Sequence, residues 1–488
     1  MTARCLMVFG TASDSGKSTL VAGLCRAFAN DGVSVAPFKA QNMARNAFVC
    51  ASGGEIGVAQ AVQALAARVT PSVDHNPILL KPEPGLRSQL VVLGESWGSH
   101  PFREVLARGP QLQAALGEAL DRLRAKHELI ILEGAGSPAE VNLQDRDLPN
   151  LAAARAADAR IVLVADIDRG GVFASVLGTL ELLPPDIRAR VGGVIINKFR
   201  GELGLLQPGL DFLAARSGVP VLGVLPYLDD LALPDEDSLA LAKHRRGGRA
   251  GLDELEVAVV DAPCLANFED VLPLAREPGV RLRLTAEPRE LLEADLVILA
   301  GSKSTLHDLE FVRRRGIDRA LARRAERQEP ILGICGGAQI LGTRIEDPEA
   351  IESDRGAADG LALLPHRTLY ARPKTTRQVR GRLTFGEPPG EVEGFLLHHG
   401  RMVDAAEPVL RLEDGEPEGS RRGDIVATMV HRLFDHPSAR AALIGPLRRR
   451  RGLAPPLAAG EPEDAYDRLA RQVQSALDWP ALRNLVGR

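Results

Sequence analysis

The sequence predicts an α/β protein with two successive domains, each built on a mainly parallel sheet. Short apolar runs alternate with helix-like segments over residues 1–235, and the same alternation begins again near residue 256. A stretch rich in charge, proline and glycine separates the two halves. The chain has 488 residues, which is too long for one hydrophobic core. We therefore predict domains at 1–235 and 253–445, a linker at 236–252, and a tail at 446–488 that contains a helix.

The first half alternates apolar runs with helical patterns in the order expected for a sheet that is covered on both faces. Ligands in such sheets bind outside the carboxyl ends of the strands, so the polar residues that follow each strand are the candidate site residues. Strands are predicted at 6–9, 33–37, 89–93, 129–132, 161–165 and 191–196, and helices at 20–29 and 56–68.

The segment between the first strand and the first helix has the composition of a phosphate-binding loop. Gly16, Lys17 and Ser18 stand where the helix begins, and five residues separate Gly10 from Gly16, where the usual motif has four. Backbone N–H groups of such a loop point at phosphate oxygens, and the helix N-terminus adds partial positive charge. The candidate nucleotide-binding residues are Thr11, Asp14, Ser15, Gly16, Lys17, Ser18, Thr19, Lys39 and Asn197.

Polar residues also follow the other strands of the first half. Glu133 follows an apolar run, and together with Ser18 it is predicted to bind magnesium, which prefers oxygen ligands. Asn197 either contacts a purine base or caps a helix. Gln41 and Asn42 follow the second strand and are candidate substrate contacts.

The composition of the chain indicates which classes of partner and which cellular setting to expect. The net charge is -4, and the first 440 residues hold no long basic segment, which argues against a nucleic-acid partner. No apolar run reaches eighteen residues, so no membrane span is expected. The first strand begins close to Met1, so we expect no signal peptide. The five cysteines are scattered, as in proteins of a reducing cytoplasm.

The second half contains a candidate nucleophile. Strands are predicted at 257–260, 281–284, 296–299 and 331–334, and the last of these leads directly into Cys335 and a helix. Gly333 and Gly336 permit the sharp strand-to-helix turn of a nucleophile elbow, with cysteine in place of serine. The N–H of Gly336 is a candidate oxyanion donor, and Gly301, after the preceding strand, is a second.

A thiol nucleophile needs a base, and five histidines follow Cys335. A strand predicted at 424–429 places His431 at a strand end, so we expect His431 to be the base. His398 and His399 end another strand-like run, and one of them is expected to orient or line the site. Gln339, in the helix after Cys335, is a further candidate for the site.

These motifs together resemble the cobyric acid synthase family, in which a dethiobiotin-synthetase-like phosphate-loop domain is fused to a class I glutamine amidotransferase-like domain. The resemblance implies a cytoplasmic ligase that uses glutamine, ATP and Mg²⁺ to amidate four carboxylates (b, d, e and g) of a corrinoid, adenosylcobyrinic acid a,c-diamide. The stretches that carry the resemblance are residues 10–19, 39–43, 76–82, 133–140, 166–171, 197–201 and 333–337, with His431.

The sequence departs from the family pattern at two places. Ordinary class I amidotransferases have a glutamate two residues after the catalytic histidine, where this chain has Leu433. The resemblance leaves open what orients His431, and Asp435 is one candidate. The usual Ile-His-Met-Gly stretch occurs here as Leu-His-His-Gly at residues 397–400.

Three other functions share parts of this pattern. The a,c-diamide synthase has the same two domains and an earlier corrinoid substrate, although residues 39–43 and 166–171 favour cobyric acid synthase. An amidotransferase of a cell-wall lipid intermediate would divide the activities between two chains. A partitioning-type ATPase would bind a protein partner and have an inert second domain. The tail is expected to pack on the second domain.

Overall fold

The computed structural model describes residues 3–83, 86–228, 244–245, 250–352, 355–386, 388–454 and 463–487. Most of the predicted linker at 236–252 lies outside these residues. Packing divides the chain into two units. The first unit comprises Met1–Ala44, Gly54–Pro234 and Glu461–Arg488, and the second comprises Arg45–Gly53 and Asp235–Gly460. Along the part of the chain that is described, no helix is both long and apolar enough to span a bilayer.

Strands and helices alternate through the first 228 residues. The strands are β1 (Arg4–Gly10), β2 (Val35–Phe38), β3 (Gln41–Met43), β4 (Ala47–Val49), β5 (Glu55–Gly57), β6 (Ile78–Glu83), β7 (Arg87–Val92), β8 (Glu95–Pro101), β9 (Leu129–Glu133), β10 (Arg160–Asp166), β11 (Val191–Phe199) and β12 (Val221–Pro226). The helices are α1 (Lys17–Asn30), α2 (Val58–Ala66), α3 (Phe102–Ala107), α4 (Gly109–Arg124), α5 (Ala153–Ala156), α6 (Val172–Leu182), α7 (Pro185–Arg188) and α8 (Leu203–Ser217).

The main sheet of the first unit is parallel, with the strand order β12-β11-β10-β1-β9-β2. Successive residues of β1 enter different cores: Met7 and Phe9 pack into one, and Leu6 and Val8 into the other. This period-two alternation of apolar side chains buries both faces of the sheet. The predicted α/β class is confirmed.

One predicted strand belongs to a different sheet. The apolar alternation at 89–93 falls in β7, which pairs antiparallel with β6 and β8 in a smaller sheet of order β3-β6-β7-β8. A hairpin and a parallel strand share the same local pattern, so the pattern could not distinguish them. The second predicted helix is also shorter than expected, because residues 55–57 form β5.

The second unit repeats the alternation and adds long antiparallel strands. Its strands after residue 250 are β13 (Leu255–Val260), β14 (Leu265–Ala266), β15 (Val280–Thr285), β16 (Leu296–Leu299), β17 (Gly301–Ser302), β18 (Ile331–Ile334), β19 (Arg344–Glu346), β20 (Ala357–Asp359), β21 (Arg367–Leu383), β22 (Glu391–Val403), β23 (Leu410–Leu412), β24 (Pro417–Glu418), β25 (Ser420–Arg422), β26 (Ile425–Thr428) and β27 (Val430–His431). Its helices are α9 (Leu272–Ala275), α10 (Pro288–Glu293), α11 (Thr305–Arg314), α12 (Ile317–Glu326), α13 (Gly336–Leu341) and α14 (Pro437–Arg450).

The main sheet of the second unit has the order β15-β13-β16-β18-β26-β25, and its strands are parallel except for β25. A second sheet contains β21 and β22, which pair antiparallel, and β27 pairs with β22. The main sheet therefore places the end of β18 beside β26, which leads into β27 and its last residue, His431.

The tail is divided between the two units: residues 446–454 stay with the second unit, as expected of the tail, and the helical part after residue 463 packs on the first unit, where the expectation is wrong. The predicted helix is present as α15 (Ala465–Ala476) and is followed by α16 (Trp479–Leu485). Leu469, Val473 and Leu482 are buried in the core that also contains Leu20 and Leu24 of α1. The amphipathic pattern of the tail identified the helix, but a pattern within one segment does not reveal which surface that segment covers.

Candidate active site

The loop between β1 and α1 wraps around the Lys17 side chain. Lys17 Nζ donates to the backbone oxygens of Ala12, at 2.9 Å, and Gly136, at 3.0 Å. Asp14 and Gly16 both have positive φ, of 57° and 88°, which lets the loop turn back on itself before the helix begins. The predicted strand-loop-helix geometry is thus formed.

Glycine at position 10 is required by the close approach of the loop. A Cβ atom there would lie 2.7 Å from Lys17 Nζ and closer still to Ser15 Oγ. Ser15 is fully buried, and its Oγ has no hydrogen-bond partner among the described residues. A buried hydroxyl without a partner, next to a lysine ammonium, is suited to an anionic group with acceptor oxygens. This donor set fits a nucleotide phosphate.

Glu133 lies at the end of β9 and connects three neighbouring elements. Its Oε1 accepts hydrogen bonds from Ser18 Oγ, at 2.8 Å, and Lys39 Nζ, at 2.7 Å, and its Oε2 accepts from Gln63 Nε2 at 2.6 Å. Burial alone would raise the pKa of Glu133, but the Lys39 charge and these hydrogen bonds outweigh burial and lower it. Glu133 is therefore an anion beside the Ser18 hydroxyl, and this pair of oxygen ligands fits Mg²⁺. Gln63 was not identified from the sequence.

The remaining predicted residues of the first unit lie in the phosphate loop, in α1, in β3 and in β11. Asn197 Nδ2 donates to Ser15 O at 2.9 Å, and its Oδ1 accepts from the Lys198 N–H, so its amide holds the phosphate loop. This contact is neither of the two roles considered for Asn197, which were contact with a purine base and capping of a helix. Thr11 donates its N–H to Val164 O, and Thr19 lies in the first turn of α1. Gln41 and Asn42 lie in β3, where Asn42 Nδ2 donates to Gln60 Oε1.

In the second unit, Cys335 occupies the sharp turn between β18 and α13. Its φ of 49° and ψ of -105° are strained for a residue with a side chain, as a nucleophile elbow requires. Glycine at position 333 is required because a Cβ there would lie 2.7 Å from the N atom of Ala338. The strand and the helix can therefore approach closely enough to present Cys335 at the carboxyl end of the sheet.

His431 lies beside Cys335 and makes a hydrogen bond with it. On its other side, His431 Nδ1 lies 2.6 Å from Asp270 Oδ2, and Asp270 Oδ1 accepts from the Arg432 N–H at 2.8 Å. Burial would lower the pKa of His431, but the charge of Asp270 and the interaction with Cys335 raise it well above its usual value. The three residues form a Cys-His-Asp arrangement in which the carboxylate fixes the orientation of the imidazole.

Asp270 was missed by the sequence analysis, and Asp435 does not orient His431. Asp435 Oδ2 instead pairs with Arg432 Nε at 2.6 Å. Asp270 lies in the 3₁₀ turn Phe268–Asp270, which follows β13 and β14 and is 161 residues before His431. An acidic residue in the loop after a predicted strand was the available signal, because the same reasoning selected Glu133 in the first unit.

Other titratable groups also face the His431–Asp270 pair. Glu269 is buried, and burial, reinforced by the charge of Asp270, raises its pKa to about 8. Burial, reinforced by the charge of His431, lowers the pKa of His398 to about 4. At neutral pH both groups are therefore mostly uncharged.

The other predicted residues of this site are brought to the same place. A Cβ on Gly301 would lie 3.4 Å from His431 Cε1, and a Cβ on Gly336 would lie 2.8 Å from the backbone N of Ser302. Gly301 thus lies beside His431, and Gly336 follows Cys335 directly and lies beside Ser302. Gln339 is buried in α13, where its Oε1 accepts from Tyr370 OH at 2.8 Å.

Two of the other downstream histidines have structural surroundings. His366 is buried and its Nε2 lies 2.9 Å from the Ala338 carbonyl, and His436 accepts from the Ser438 N–H at the start of α14. His398 and His399 lie in β22, the strand that pairs with β27, and His398 interacts with His431. Of these five histidines, His431 is the one that both Cys335 and Asp270 contact.

Two family models match the chain, one in each half. The first, described as the CobQ/CobB/MinD/ParA nucleotide binding domain, matches residues 6–240. The second, the CobB/CobQ-like glutamine amidotransferase domain, matches residues 256–439. These two descriptions correspond to the two sites found in the structure, a phosphate loop and a Cys-His-Asp elbow.

Curated relatives match over the whole chain. A cobyric acid synthase of Sorangium cellulosum is 49% identical, covering 100% of this chain and 99% of the relative. Cobyric acid synthases of Moorella thermoacetica and Rhodococcus jostii are each 45% identical over 99% of this chain, covering 98% and 95% of the relatives. With the two sites in place and full-length similarity of this degree, the chain belongs to the cobyric acid synthase family of ATP-dependent glutamine amidotransferases.

Proposed function

We propose that the chain amidates the b, d, e and g carboxylates of adenosylcobyrinic acid a,c-diamide, with glutamine as the nitrogen donor and with ATP and Mg²⁺. The observation that carries this proposal is the Cys335–His431–Asp270 arrangement on a strand-to-helix elbow. It supplies a complete glutaminase in a chain whose other unit contains a phosphate-binding loop.

The second unit generates ammonia. The Cys335 thiolate attacks the side-chain amide carbon of glutamine, and the N–H groups of Gly301 and Gly336 stabilise the oxyanion that forms. His431 gives its proton to the leaving nitrogen, which departs as ammonia and leaves a thioester. Water then attacks the thioester, with His431 as base, and glutamate is released. Gln339 and His398 are proposed to line the glutamine pocket.

The first unit prepares the carboxylate for attack. A carboxylate is a poor electrophile, and phosphoryl transfer from ATP supplies the activation that lets ammonia form an amide. Lys17 neutralises charge on the phosphates, and the loop residues 11–19 donate backbone N–H groups to them. Ser18 and Glu133 are proposed to hold Mg²⁺, and Lys39 keeps Glu133 ionised. Gln41 and Asn42 are proposed contacts of the corrinoid.

The cysteines support a reducing, cytoplasmic setting for this reaction. All five are buried, and none forms a disulfide in the part of the chain that the structure describes. We propose that the substrates are small molecules and that neither nucleic acid nor a membrane is a partner. The net charge of -4 is consistent with that proposal.

The test is mass spectrometry of the corrinoid after incubation with the purified chain, ATP, Mg²⁺ and glutamine labelled with heavy nitrogen at its side-chain amide. The proposal predicts that the a,c-diamide gains labelled amides at all remaining acetate and propionate groups except one. If only cobyrinic acid gains label, and only at the a and c positions, the chain is the a,c-diamide synthase instead. Absence of glutamine hydrolysis would favour the ATPase alternative with an inert second domain.

A further inference from the structure

Residues Arg45–Gly53, here called the strap, belong to the second unit, although the chain before and after them belongs to the first. The strap contains β4 and follows directly after β3 and residues 39–43. Ala47, Phe48, Val49 and Cys50 are all buried. The strap is therefore an integral part of the second unit and is not a loose connection.

One end of the strap holds the turn that carries Asp270. Asn46 Oδ1 accepts from the Asn267 N–H at 2.8 Å, and Asn267 Nδ2 donates to Ala47 O at 3.3 Å. Asn267 has a φ of 53°, and its carbonyl accepts from the Asp270 N–H at 3.0 Å. Asn267 starts the turn that ends at Asp270. The position of Asn267 therefore helps to set the position of the Asp270 carboxylate relative to His431.

The middle of the strap holds the residues around His431. The Phe48 ring packs edge-on against Phe395, with centroids 5.5 Å apart, and Phe395 stacks on the His431 ring at 5.2 Å. The Arg432 guanidinium lies 5.4 Å from the centroid of the Phe48 ring. Phe48 thus packs against Phe395, which stacks on the His431 ring, and against Arg432, the residue that follows His431.

We propose that the strap positions the His431–Asp270 pair for glutamine hydrolysis. This proposal rests on the function proposed above. The strap acts on the pair through intermediate residues: Asn267 connects it to Asp270, and Phe395 and Arg432 connect it to His431.

The experiment compares Phe48→Ala, Phe48→Leu and Asn46→Ala with Phe212→Ala, which alters an exposed phenylalanine in α8. Glutamine hydrolysis is measured across pH, with and without ATP, Mg²⁺ and corrinoid. For Phe48→Ala and Asn46→Ala we expect kcat to fall by about tenfold or more with KM for glutamine little changed, since a small misplacement of a catalytic group has effects of this size. We also expect Phe48→Leu to retain more of the wild-type kcat than Phe48→Ala.

Ammonia-driven amidation serves as the control for folding, because it does not require His431. If Phe48→Ala misfolds and loses both activities, the proposal is tested with Asn46→Ala, which removes a smaller group. The proposal is overturned if Asn46→Ala and Phe48→Ala both match Phe212→Ala in pH profile and kcat. Basal glutamine hydrolysis requires no corrinoid, so its response to these variants can be read even if the corrinoid proves to be the wrong acceptor.

Discussion

His431 Nδ1 lies 2.6 Å from Asp270 Oδ2, in a contact buried from solvent that joins residues 161 positions apart. Ordinary class I amidotransferases orient the catalytic histidine with a glutamate at the position of Leu433, and leucine cannot do this. In this chain the turn Phe268–Asp270 brings the Asp270 carboxylate to Nδ1 of His431 instead. The geometry of the catalytic base is therefore complete within the second unit.

Asp270→Asn should lower kcat for glutamine hydrolysis on the order of a hundredfold, because the amide neither fixes the imidazole nor stabilises its charged form. The raised pKa of His431 depends on the Asp270 charge. Without that charge the pKa falls, so the alkaline limb of the pH–rate profile should move to lower pH.

Asp435→Asn is the matched control, since Asp435 pairs with Arg432, whereas the carboxylate that contacts His431 is that of Asp270. It should change kcat much less than Asp270→Asn and leave the alkaline limb in place. Equal effects of the two variants on the pH–rate profile would contradict the assignment of Asp270.

Local pattern predicted the strands, the phosphate loop and the elbow, because each depends on residues that are close together in the sequence. Cys335 was identifiable from its neighbouring glycines, and Glu133 from its place after a buried strand. Asp270 and Gln63 were not, because each reaches its partner only through tertiary packing. The strap was missed for the same reason, since nothing in its own sequence indicates which unit it joins.

Lys17→Ala should remove ATP-dependent amidation and leave basal glutamine hydrolysis nearly unchanged. Lys17 lies in the phosphate loop of the first unit, whereas Cys335 and its base belong to the second. Loss of a charge that stabilises a phosphoryl transition state should cost about a thousandfold in amidation rate. The two activities are measured as labelled amide gained and glutamate released, and parallel loss of both would contradict this division.

Glu133→Gln should raise the Mg²⁺ concentration needed for half-maximal amidation, since it removes an anionic oxygen beside Ser18. Titration of the amidation rate with Mg²⁺ measures the change. Glu181→Gln, at an exposed position of α6, is the control. An unchanged Mg²⁺ requirement in Glu133→Gln would remove Glu133 from the proposed metal site.

Stability should also depend on the charge of Glu133. Its pKa in the folded state is lowered, so its contribution is fully present above the unfolded carboxyl pKa of about 4.3 and is lost as pH falls through the folded pKa. Urea unfolding of wild type and Glu133→Gln at several pH values should show a difference near neutrality that narrows in acid. A difference independent of pH would mean that the Lys39–Glu133 ion pair contributes nothing through ionisation.

Leu469→Ala should destabilise the first unit by about 3 kcal/mol, because it leaves a cavity between α15 and α1 in a fully buried position. Ser475→Ala, at an exposed position of the same helix, should have little effect. Chemical unfolding followed by limited proteolysis identifies which unit is lost first. Early cleavage confined to residues 255–450 would contradict the packing of the tail on the first unit.

The central claim is that Cys335 produces ammonia and that carboxylate activation belongs to the ATP-dependent unit. The most direct test is mass spectrometry of the corrinoid product formed by Cys335→Ser, with glutamine in one reaction and a high concentration of ammonium salt in the other. The account predicts no amides from glutamine and near-normal amidation from ammonia, since the serine variant retains the phosphate loop, Lys17 and Glu133. Loss of amidation in both reactions, from a variant that remains folded, would contradict the account.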